Sequence, residues 1–238
     1  VGVPDELDRR SGLLNLAGLP LRAAKRTVHT PMALAVILCG MTLDHTLRML
    51  ATLTGQYYRL IDLPESSFGL IGSAIALVGL GVPRLARAMT NRLSPGINVL
   101  ILSLAMITAL VALGRFIPYF GVLPMAATFI GMMMTSFFTS SYLNAITSSS
   151  QRATVLSFKG MAFNLAYAAI GIGSAALIRH KPLLPTEHNP QASEAMLENG
   201  AFITTIGWFP WYLALMLLLM GLIVLPKLRN QKPTIPTR

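Results

Sequence analysis

The stretch Pro31 to Thr54, PMALAVILCGMTLDHTLRMLATLT, is long and apolar enough to cross a bilayer as a helix. Crossing about 30 Å of hydrocarbon takes roughly 20 helical residues. Yet this stretch carries Asp44, His45 and Arg48 near its middle. Ionisable groups at that depth are costly unless they are paired or face water. One segment therefore raises both questions, how the chain meets a membrane and what its buried charges do.

Working outward, five further apolar runs have the same length. The predicted spans lie near 31–54, 66–88, 97–116, 118–141, 154–178 and 204–225. Only helices suit them, because lipid offers no partner for open backbone groups, and the period-two alternation of a membrane barrel is absent. The expected fold is an all-α polytopic membrane protein with six transmembrane helices over 30–226. A linker occupies 1–29 and a tail 227–238. Composition agrees: 53% of the 238 residues are hydrophobic and only 12% charged, about half the charged fraction of a soluble domain. Mean hydropathy is +0.60.

The net charge of +10 does not point to nucleic acid. Lys and Arg fall in short segments between apolar runs, as in basic loops beside anionic lipid; no contiguous basic stripe or RNA-binding aromatic motif accompanies them. Fourteen of the nineteen Lys and Arg lie on the side of the N-terminus, four on the other, and Arg48 within the first span. The positive-inside rule then places both termini in the cytoplasm of a cell inner membrane. The first thirty residues mix Asp5, Glu6, Asp8, Arg9, Arg10, Arg22, Lys25 and Arg26, unlike a signal peptide. They read as a linker entered from something upstream, so the chain reads as a fragment or a trimmed product. In the last loop, Arg179 to Ile203, Ser193 is placed to cap a short helix that Gly200 ends.

Asp44 and Arg48 stand at i,i+4 and share a helix face. They read either as a structural ion pair or as a proton or substrate site in a polar cavity. His45 points about 100° away and reads as a hydrogen-bonded packing residue or a second titrating group. In the fourth span Thr128, Gly131, Thr135, Thr139 and Tyr142 share one face, and in the fifth Gly160, Asn164, Tyr167 and Gly171 do. Such stripes serve helix contacts in lipid, although the buried amide of Asn164 needs several partners. Lys159 reads as a snorkelling anchor. The first, fourth and fifth spans are expected to line a wet cavity, the third and sixth to face lipid, and Trp208, Trp211 and Tyr212 to form an aromatic belt.

Three stretches resemble the major facilitator superfamily, helices seven to twelve. Arg87 to Ser94, RAMTNRLS, looks like a degraded G-x-x-x-D-R-x-G loop: Asn91 stands at the acidic position, Arg92 matches and Ser94 replaces glycine. Gln151-Arg152-Ala153-Thr154-Val155-Leu156-Ser157 is similar to the start of helix eleven in many bacterial members. Leu63 to Gly72 resembles the approach to helix eight. The resemblance implies that the first, second, fourth and fifth spans approach a central cavity, and that a missing N-terminal six-helix half, or a second copy, supplies the opposite wall.

The expected function is therefore secondary transport by a permease half: proton-coupled movement or efflux of a small solute or ion, with no cofactor. A non-transporting scaffold or receptor on the same fold is the alternative. An enzyme is not expected. HExxH and GxSxG are absent, and His29, His45, His180 and His188 lack ligand spacing, so neither catalytic nor metal-binding residues are assigned. Cys39 alone allows no disulfide within the chain.

Overall fold

A computed structural model describes residues 31–149, 151–180 and 194–229. The expectations for the linker 1–29, for Ser193 and for residues 230–238 lie outside the described residues. Every regular element among the described residues is helical: α1 (Pro31–Thr52), α2 (Thr54–Leu60), a 3-10 turn (Glu65–Ser67), α3 (Phe68–Gly79), α4 (Val82–Arg92), α5 (Pro95–Leu113), α6 (Val122–Ile146), α7 (Arg152–His180) and α8 (Glu194–Arg229). Six stretches are long and apolar enough to cross a membrane: Pro31–Thr52, Glu65–Arg92, Pro95–Leu113, Val122–Ile146, Arg152–Ala176 and Asn199–Leu228. The chain is an all-α, multi-pass membrane protein.

Three boundaries differ from the sequence reading, each for a local reason. The second span breaks at Leu80–Gly81, because Pro83 in the first turn of α4 has no N–H for the helical ladder. The fourth span begins at Val122 rather than 118. Residues 118–121 are taken up by a turn in which the Tyr119 amide donates to the Ile61 carbonyl at 2.9 Å. The sixth span is not preceded by a separate helix ending at Gly200. α8 runs unbroken from Glu194 through Gly200, whose carbonyl accepts a 2.8 Å bond from Thr204 Oγ1.

α1 is the central post. It packs against α6, α7 and α8, while α5 joins α6 to α8. Over their most apolar stretches, 61% of residues in the first span are buried, against 6% in the second and 11% in the fifth. The third and sixth spans pack inward through Leu102, Leu110, Ile206 and Leu213 and turn Leu100, Leu104, Leu218 and Leu222 outward. The bundle is thus most open along α3–α4 and α7, not along the two spans expected to face only lipid.

Small residues set the closest helix approaches. The face of α6 carrying Thr128, Gly131, Thr135 and Thr139 is buried, with Met106 of α5 against Gly131 and Thr139 against Gly40 of α1. At the α1–α2 end of the bundle, two loops interlock. Asp62, Phe116 and Tyr119 have positive φ, a conformation uncommon outside glycine. Fully buried Tyr57 donates to the Leu113 carbonyl at 3.3 Å. Burial, with Tyr58 adding, pushes its phenol up to about 12. Tyr57 and Ile61 lie so close to Gly121 that no side chain fits there.

Candidate functional site

The polar residues of α1 point in two directions. Arg48 Nη2 lies 2.6 Å from Asp44 Oδ2. That buried oxygen receives no well-aligned hydrogen bond, so charge rather than direction holds the pair. Arg48 Nη1 donates to Asn164 Oδ1 on α7 at 2.8 Å, and the guanidinium stands 5.6 Å from the centre of the Tyr167 ring. Four residues singled out from sequence (Asp44, Arg48, Asn164 and Tyr167) therefore form one group spanning the α1–α7 contact. The Arg48 side chain is 32% exposed and that of Asp44 only 7%. The cation faces the open side, with the carboxylate behind it.

His45 turns away to α8. Its Nδ1 lies 2.6 Å from the Met41 carbonyl, which can only accept, so Nδ1 carries the proton. In the neutral ring Nε2 then accepts from Tyr212, 2.7 Å away. The rings meet edge to face at 5.6 Å. Both ring nitrogens are engaged, and the residue joins two helices instead of entering the Arg48 group. Tyr212, expected in the aromatic belt, is thereby placed at the depth of His45. Trp208 and Trp211 are exposed on α8.

Thr135 is not brought to this group. Its Oγ1 donates to the Gly131 carbonyl at 2.8 Å, and Thr128 and Thr139 likewise bond their own helix. Thr135 lines an apolar cleft of about 530 Å³ between α1, α5, α6 and α8. The threonine stripe serves packing, and its hydroxyls are already used. Asn91 and Arg92 are exposed at the end of α4. Ser94 caps α5 by accepting from the Ile97 amide at 3.4 Å, which gives the serine in the glycine position a structural task. Arg152 donates to the Asn144 carbonyl at 3.4 Å, across the turn between α6 and α7.

Two residues that sequence reasoning did not place here complete the site. Lys159 turns inward: its Nζ donates to Ser140 Oγ on α6 at 3.0 Å and stands 5.4 Å from the centre of the Phe163 ring. The Phe163 ring beneath it reaches Gly40 of α1, one turn from Asp44. Among the described residues Lys159 has no carboxylate within ion-pair distance. Ser140 also lines a groove of about 620 Å³ between the α3–α4 break and α6, with Ser136, Ser141 and Asn144. The signal for both was present in the sequence. Ser136 and Ser140 are i,i+4 on an α6 face turned about 100° from Thr135 and Thr139, and Lys159 is a cation within the fifth span.

Among the described residues, no group of three or more His, Cys, Asp or Glu is placed to hold a metal ion. Compared with known proteins, the chain matches no protein-family model, no curated sequence and no solved structure.

Proposed function

We propose that this chain is one six-helix half of a secondary transporter of the major facilitator type, which moves a small solute with a proton by alternating access. It lies in a cell inner membrane with both termini in the cytoplasm. The observation that carries this reading is the group Asp44, Arg48, Asn164 and Tyr167, joined by Lys159, on the open side of the bundle. Charged groups within a span are retained where a pathway uses them. Their partly exposed cation and buried carboxylate suit a site that water reaches from one side.

The exposure of α3 and α7 supports a second six-helix body as the opposite wall of the cavity. Alternating access then rocks one body against the other about a site near the midplane. A proton on Asp44 weakens its hold on Arg48 and shifts the balance between the two facing states.

The test is uptake into proteoliposomes containing the full-length protein under an imposed pH gradient. Gradient-dependent uptake that Asp44→Asn removes supports the reading. Solute binding with no translocation would assign the fold to a receptor or scaffold instead.

A further inference from the structure

The charges of the site do not balance. Among its described residues, Arg48 and Lys159 face a single carboxylate, Asp44, so one positive charge is left over. Unmatched charge in a low-dielectric setting is costly; a proton on Asp44 would leave both cations unmatched, and an anion relieves that cost. Arg48 is anchored at Asn164, and Lys159 lies five residues away on α7, about one and a half turns. Ser140 accepts one bond from the Lys159 ammonium, which has three N–H donors to offer. The hydroxyl-bearing groove at Ser136 and Ser140 opens beside it.

We propose that the solute is a small monocarboxylate-like anion, held between Arg48 and Lys159 and carried with one proton. This assignment rests on the transport reading above. When Asp44 accepts a proton from water, its carboxylate becomes a neutral carboxyl group and releases the Arg48 guanidinium. The carboxylate of the solute takes the place of the Asp44 charge beside the guanidinium, like for like. The empty site holds two cations and one anion. The loaded site holds two cations, a neutral Asp44 and one anion, so its net charge is unchanged and a cycle moves no net charge across the membrane.

The groups that act on Asp44 are consistent with this exchange. On its own helix Arg48 pairs with it, beside a His45 turned to α8; around these stand Tyr167 of α7 at Arg48, Ser140 of α6 at Lys159 of α7, and Tyr212 of α8 at His45. No second carboxylate among the described residues competes for the proton at this site.

The experiment uses the full-length protein in proteoliposomes with radiolabelled lactate, benzoate, choline and glucose, and the membrane potential clamped by valinomycin and potassium. We expect lactate or benzoate uptake that follows the pH gradient and ignores the clamped potential. Arg48→Gln and Lys159→Gln should each lower it at least about tenfold, the worth of one charge-assisted hydrogen bond. Arg48→Lys should keep part of it, and Asp44→Asn should flatten its pH profile. Size-exclusion profiles and unfolding temperatures of every variant separate lost transport from lost folding. Uptake of choline or glucose without either carboxylate overturns the anion assignment and leaves the transport reading standing. Carboxylate uptake that responds to the clamped potential overturns the one-proton exchange. Movement of none of the four by well-folded protein overturns the anion assignment but not the transport reading.

Discussion

Arg48 on α1 donates to Asn164 on α7 across 2.8 Å, and this bond ties the most buried span to one of the most exposed. The same guanidinium holds Asp44, so the amide of Asn164 decides where the cation stands. Asn164→Ala is expected to destabilise the protein by no more than about 1 kcal/mol, because the bond it removes is exposed. Asn164→Asp adds a second carboxylate at Arg48 and should suppress carboxylate uptake while preserving the unfolding temperature. Thermal unfolding in detergent and proteoliposome uptake check the two outcomes.

Tyr57 gives a prediction outside the spans. Its phenol is pushed up to about 12 by burial, whereas an unfolded tyrosine titrates near 10. A raised folded value means that its contribution is complete below pH ~10 and is lost as pH rises through about 12. Tyrosinate absorbance during an alkaline titration should therefore show a last step that Tyr57→Phe removes. The same substitution loses the bond to Leu113 and should cost about 1 kcal/mol.

The glycines separate by location. A methyl group at Gly40 would run into the short side chain of Thr139, while at Gly160 it meets nothing. Gly40→Ala is expected to destabilise by about 1–3 kcal/mol through overpacking. Gly160→Ala should instead leave the unfolding temperature within a degree or two of the parent protein. Equal effects at the two positions would contradict the α1–α6 approach.

Cys39 is the only cysteine, so its replacement by alanine makes a clean background for labelling. In that background Arg48→Cys should react readily with a water-soluble thiol reagent, and Asp44→Cys and Thr135→Cys slowly. The order follows from the exposed cation, the carboxylate behind it and the threonine packed against its own helix. If the thiols introduced in place of Arg48 and Asp44 are both sealed from either side in every state, the solute pathway assigned to this face is wrong.

The spans were legible because hydrocarbon thickness leaves an unambiguous mark, about 20 apolar residues in a row. The break at Leu80–Gly81 was not, since its residues are as apolar as the helices beside it. The Asp44–Arg48 pair followed from i,i+4 spacing alone. Its meeting with Asn164 and Tyr167 needed the α1–α7 contact, which helical periodicity does not specify. Lys159 was misjudged for a physical reason: a long cationic side chain can reach outward or inward, and the inward choice depends on Ser140 and Phe163. Thr135 looked like a cavity residue because a hydroxyl on a helix face shows nothing of its own back-bond to the preceding turn. Tyr212 looked interfacial until His45 supplied a partner for it.

The loops joined by Tyr119 and Ile61, with Tyr57 wedged beneath them, fasten α1, α5 and α6 together at one end of the bundle. Among the described residues no such loop clasp holds α3, whereas α7 is held to α1 and α6 through Asn164 and Lys159. The molecule is in effect a hand gripped at the wrist, with one finger left free. The Ile61 and Tyr119 amides, both bonded within the clasp, are expected to exchange more slowly than other loop amides when exchange is followed in detergent.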